Sequence, residues 1–162
     1  MPDHLLDTNV LVVASAAGAE GHPDADVPAS PEEALIVHDW LARYSRDHNA
    51  HLLLDTTWRI WKEYQENLDE QEWGYLVVRE KLATTVRFLD IRLDPNDDAA
   101  VLPPDLAAVV HDRKDRKFVA VALADGGRSA IVNATDSDWK AWEPALSEWG
   151  VRVLQLLDDA AT

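Results

Sequence analysis

Short apolar runs, each separated from the next by an amphipathic stretch, are the feature that most narrows what this chain can fold into. "HLLDTNVLVV" (residues 4–13), "AHLLLD" (50–55), "SAIVNATD" (129–136) and "VRVLQLL" (151–157) read as strands by their aliphatic, partly β-branched content. A brief strand is expected near Phe88 to Leu93. Between them, "EEALIVHDWLARYSRDH" places Leu35, Ile36, Trp40, Leu41 and Tyr44 at helical spacing, and "WRIWKEYQENLDEQ" repeats Ile60, Tyr64 and Leu68 every four residues. Ser30, Pro31 and Glu33 have the pattern of a capping box with proline at the first helical position, and Thr56 or Thr57 is the expected cap of the following helix. "RKDRKFVAVALADGG" reads as a helix closed by Gly126 and Gly127, and a last helix is expected around Pro144 to Trp149, ending at Gly150. Strands alternating with helices predict an α/β sandwich around a mainly parallel sheet.

The chain has 162 residues, enough for one core, and no repeat period or long linker divides it. The expected organisation is a single domain over 1–157 with an exposed loop insertion over 15–30, "SAAGAEGHPDADVPAS", and a frayed acidic tail over 158–162. "DPNDDAAVLPPDL" is expected to be a second loop. Cysteine is absent, which removes disulfides, thiolate metal sites and a cysteine nucleophile. The six histidines show no paired spacing for a transition metal. The start "MPDH" has no basic region leading into an apolar stretch, and no apolar run is long enough to span a bilayer, so a cytoplasmic protein with no membrane role is expected. A formal net charge of -15 argues against a broad basic face for nucleic-acid backbones.

Within the first apolar run stands an acid, Asp7. In open parallel sheets the site lies beyond the C-terminal ends of the strands, where Asp7 and Asp136 both fall. Asp115 opens a helix that can begin at the same rim, and Glu63 lies on a helix from which it would reach sideways. Carboxylates gathered in one place raise one another's pKa unless a cation intervenes. Oxygen-only ligands suit Mg²⁺ or Mn²⁺, and such ions can activate water, hold a scissile phosphate and stabilise the leaving oxygen, which points to phosphodiester hydrolysis.

The stretches "LLDTNVLV", "KEYQENL", "HDRKDRKFVAVAL" and "NATDSDW", in that order and with that spacing, resemble the PIN domain over nearly the whole chain. The resemblance implies a three-layer α/β/α Rossmann-like fold and a metal-dependent ribonuclease whose four acids are Asp7, Glu63, Asp115 and Asp136. It also implies Asp138 as a further metal-binding acid, and Thr8, Asn9 and Thr135 as polar positions orienting the acids or a water. Asp112 competes with Asp115, but Asp115 stands directly before "RKFVAVAL", as the family's acid does. Arg113, Lys114, Arg116 and Lys117 form the one dense basic cluster and are candidates for RNA phosphate contacts. Many short bacterial PIN proteins look like VapC-type toxins, so the resemblance implies an RNA substrate, an antitoxin protein and a homodimer; the insertion, the long loop and the acidity depart from the usual pattern of those toxins. The alternative is a PIN-fold binding or regulatory module with little or no nuclease activity. A phosphatase or phosphoacceptor using Asp7 as nucleophile is less well matched, because "DTN" stands where an Asp-x-Asp pair would be. The seven tryptophans are read mainly as core, with base stacking as the other use of such rings.

Overall fold

A computed structural model describes residues 1–18 and 27–157. In chain order the elements are β1 (His4–Leu6), α1 (Thr8–Ala16), α2 (Pro31–Arg46), β2 (Leu52–Asp55), α3 (Arg59–Asn67), α4 (Trp73–Thr84), β3 (Val86–Leu89), α5 (Pro104–Val109), α6 (Arg116–Ala124), β4 (Ala130–Asn133), α7 (Ser137–Glu148) and β5 (Arg152–Gln155). The strands form one five-stranded sheet in the order β3-β2-β1-β4-β5, and every pairing is parallel. Parallel neighbours need crossover connections, and the helices supply them as the layers of a Rossmann-like α/β/α fold. On one side α1 packs against α2 and α4; elsewhere α6 lies on β2 and β4, and α7 on β5. The three central strands are buried throughout, as expected where helices cover both faces.

The first apolar run is not one strand. β1 stops at Leu6, and Asp7, with extended backbone, accepts the amide of Asn9 and caps α1. The helix hides from periodicity because six of its nine residues are buried, so its apolar content runs almost all round. α1 also takes Ser15 and Ala16 out of the expected loop; residues 19–26 of that insertion, and the tail 158–162, lie outside the described residues. Gly74 of α4 lets the two helices approach: its amide donates to Ser15 Oγ at 2.9 Å, and a Cβ there would stand 2.5 Å from the Leu11 carbonyl oxygen.

Other boundaries also differ. The capping box of Ser30 and Glu33 forms with Pro31 at the start of α2, but the buried face is Ala34, Val37, Trp40, Leu41 and Tyr44, leaving Leu35 and Ile36 exposed. Neither threonine caps α3. Buried Asp55, at the end of β2, accepts the amides of Arg59 and Ile60, each at 2.9 Å, and the hydroxyl of Thr57. β3 covers Val86–Leu89 rather than 88–93. The second loop contains a Leu93–Ala100 bridge and gives way to α5 at Pro104, a proline placed to start a helix. α7 begins at Ser137, seven residues before Pro144, which lies inside the helix instead of opening it. Gly126 and Gly127 do follow α6, both with positive φ.

Candidate functional site

The order of the sheet places its reversal between β1 and β4: from β1 the chain builds outward through β2 and β3, then returns to lay β4 on the opposite side. A crevice opens there at the C-terminal strand ends. Asp7 and Asp136 follow these two strands, and the Asp7 amide continues the ladder by donating to the Val132 carbonyl at 3.1 Å. A cleft of about 660 Å³ lies over them, lined by Asp7, Glu63, Asp112, Asp115 and Asp136 together with Thr8, Arg59, Lys114 and Lys117.

Asp7 is buried, with one oxygen on the Asn9 amide and the other accepting the indole N–H of Trp139, itself fully buried. Burial pushes its carboxyl up to about 6; the Trp139 and Asn9 donors oppose the rise, and the charges of Glu63 and Asp136 add to it. Asp115 stands at the start of α6 but makes no side-chain cap bond, so its carboxylate remains directed to the other acids. Burial, and then the charges of Asp7, Asp112, Asp136 and Glu63, push it up to about 8. Asp136 caps α7 through the Asp138 amide at 2.9 Å, and burial raises its pKa as well, with the Asp138 and Asp112 charges contributing.

Glu63 is positioned by its neighbour in sequence. The Tyr64 hydroxyl donates to the Leu6 carbonyl at 2.5 Å and fixes α3 against the end of β1. Glu63 then accepts the Thr8 hydroxyl on one oxygen and the Lys117 ammonium on the other, the latter at 2.8 Å. Among the described residues Glu63 thus has a built-in cation beside it, Lys117.

The orienting residues divide by role. Thr8 serves Glu63. Asn9 holds the turn after β4, accepting the amides of Ala134 at 2.9 Å and Thr135 at 3.4 Å and donating to Asn133 Oδ1 at 3.0 Å. Thr135 takes part through its backbone in that turn. Asn133, which is not among the expected site residues, is the centre of this network: it accepts from Asn9 and the Asp136 amide, and donates to the Asp136 carbonyl and to Gln155. A buried asparagine ending an aliphatic strand, "AIVN", was the available signal. Trp139 was the other omission, concealed among tryptophans that serve the core.

Asp112, ranked behind Asp115, joins it: ligand oxygens of Asp112, Asp115 and Asp138 lie within 4.8 Å of one another. The basic cluster disperses. Arg116 donates to the Val110 and Ala107 carbonyls and is absent from the cleft lining, so it ties α6 to α5 instead of facing phosphate. Lys117 is committed to Glu63 and to the Lys114 carbonyl. Arg113 pairs with Asp97 of the loop before α5, and Arg59 with Asp98 at 3.1 Å, and this loop lies along the cleft. Lys114 lines the cleft as well and is exposed.

The donor set fits a hard divalent cation, being carboxylate oxygen throughout and held at a spacing one ion can bridge. Two acids pushed upward by burial and like charge are also the electrostatic complement of such an ion. No helix among the described residues is long and apolar enough to cross a membrane. Comparison with models of protein families, with curated proteins and with solved structures finds no match to this chain.

Proposed function

We propose that the chain is a PIN-like, Mg²⁺- or Mn²⁺-dependent endoribonuclease that hydrolyses RNA phosphodiester bonds. The observation that carries this reading is the convergence of Asp7, Asp115 and Asp136, from three separate parts of the chain, on the crevice where the strand order reverses. Asp112, Asp115 and Asp138 would hold the ion, with Asp7 and Asp136 beside them. When bound, the ion supplies charge neutralisation for the phosphate and a lowered pKa for water. The chain's own groups do the positioning: Trp139 and Asn9 keep Asp7 oriented, Lys117 and Thr8 hold Glu63, and Lys114 at the mouth offers an ammonium to an incoming phosphate. The setting that accompanies this reading is the cytoplasmic toxin of a type II toxin–antitoxin pair, acting as a homodimer silenced by an antitoxin. Purified protein incubated with assorted RNAs and Mn²⁺ is expected to cleave them, and Asp7→Asn and Asp115→Asn to reduce cleavage by at least a hundredfold. Equal background from all three proteins would remove the enzyme reading.

A second reading has its own support. Glu63 and Asp7 already have their oxygens satisfied within the protein, which suits a PIN-fold binding or regulatory module with little nuclease activity. Metal binding without cleavage of any RNA would favour it.

A further inference from the structure

Beside the acidic cleft the surface carries an aromatic pair that packing does not explain. Trp58 is 46% exposed and Phe88 40% exposed, and their rings lie 5.0 Å apart at a tilt of 56°. Trp58 has φ +63°, a left-handed backbone conformation that L side chains rarely adopt. The cause is local: its amide closes a turn onto the Asp55 carbonyl at 3.0 Å while the Asp55 carboxylate grips the next two amides, so the chain cannot relax at residue 58. Glycine or asparagine would occupy such a position at little cost. Here an indole is held outward at the price of strain, a combination that gathers at functional positions.

The pair adjoins cations. Trp58, Arg59 and Lys62 line one shallow concavity, and Arg59 and Lys62 also line the acidic cleft, so the two depressions share a wall. Their present partners, Asp98 for Arg59 and Glu66 for Lys62 at 3.9 Å, are exposed carboxylates, and pairs of this kind exchange readily for another anion. Basic groups next to open aromatic faces suit a strand that alternates phosphates with flat rings. A duplex covers the faces of its bases, so the ring surface selects an unpaired one. The charge of the whole chain strengthens this choice: at a formal -15 it gains little from a polyanionic backbone, whereas stacking needs no net charge.

We propose that Trp58 and Phe88 form a ledge on which an unpaired base of a single-stranded nucleic acid stacks, with Arg59 and Lys62 holding the adjoining phosphates. The ledge gives the substrate class of the nuclease reading above, and rests on it only for the direction of the strand, toward the acids. The test uses the full chain, a fluorescein-labelled oligoadenylate, its duplex with oligouridylate, and inorganic polyphosphate, all in EDTA so that no metal acts in the cleft. The single strand is expected to bind more tightly than the duplex or the polyphosphate. Its salt dependence should be shallow, about one to two released counterions. Trp58→Gly, which fits the left-handed backbone, and Phe88→Ala are each expected to weaken it by about tenfold. Thermal melting should show W58G folded, and F88A provides the same reading independently of residue 58. Wild-type affinity in both variants, equal binding of duplex or polyphosphate, or no binding of the single strand by the wild-type chain would overturn the ledge. Loss of Mn²⁺-dependent cleavage alone, with single-strand binding intact, would instead overturn the nuclease reading and leave the ledge standing.

Discussion

Asp115 makes a pH prediction whose sign follows from its surroundings. Its pKa in the folded chain is about 8 against an ordinary 3.8, so between those values the folded state binds the extra proton. Stability from this source is complete below about pH 4 and is lost as pH rises through about 8. Asp7, at about 6, acts in the same direction over a lower window. His4 acts oppositely: burial depresses it to about 4, so its contribution is regained as pH climbs toward 6.5. The interval from 6.5 to 8 lies above the windows of both Asp7 and His4 and within that of Asp115. In EDTA, thermal melting is expected to fall across it in the wild type and to be nearly flat in Asp115→Asn; a parallel decline in both would show that Asp115 is not the source. Trp139 allows a separate check, because its N–H opposes the rise at Asp7. Trp139→Phe should lose about 1–3 kcal/mol of stability and move the onset of Mn²⁺ binding to higher pH. Calorimetric titration across pH 5 to 8 reads that onset.

Between α1 and α4 the contact has no slack. Gly74→Ala would set a methyl 2.5 Å from the Leu11 carbonyl oxygen and 2.8 Å from Ser15 Oγ, so about 1–3 kcal/mol of destabilisation is expected in denaturant unfolding. Asp55→Ala removes the acceptor for two amides at the start of α3 and should cost roughly 1–2 kcal/mol. These two positions also show what the sequence could disclose. The alternation of apolar runs with amphipathic stretches was sufficient for the α/β class and the parallel sheet. Ser30, Pro31 and Glu33 identified the start of α2, because a capping box depends on neighbours alone. α1 is not legible in the sequence because a helix buried on most sides has no polar face to betray its period. The cap of α3 was misplaced because Asp55 acts from the end of a strand, across an intervening turn, where the adjacent threonines looked like the nearer candidates. At the site, Asp7, Asp115 and Asp136 were legible as acids beside strand or helix boundaries. Asn133 and Trp139 were not, since the bonds that bring Asn133 to Asn9 and Trp139 to Asp7 join residues more than a hundred positions apart in the chain. Nor could residue type reveal that Arg116 turns toward α5 while Lys114, two positions earlier, lines the cleft.

With twice as many acidic as basic residues, 30 against 15, the molecule as a whole favours a bound cation and resists a bound polyanion. Mn²⁺ at a hundredfold excess over its Kd should raise stability by about 2.7 kcal/mol through mass action alone. Asp112→Asn and Asp138→Asn should each diminish that gain, as scanning calorimetry with and without the ion would register; an identical gain in both variants would move the ion away from this triad. The sheet has a different consequence. Asp7 and Asp136 follow neighbouring strands paired residue by residue from His4 with Ala130 to Leu6 with Val132, and the ladder continues through the Asp7 amide. The position of Asp7 is thus inherited from main-chain pairing, while the side chains of Asn9 and Asn133 fix the turn that carries Asp136 beside it. Imidazoles grafted at these positions would find the same rigid frame, making the crevice a ready scaffold for rebuilding the molecule around a softer ion such as zinc.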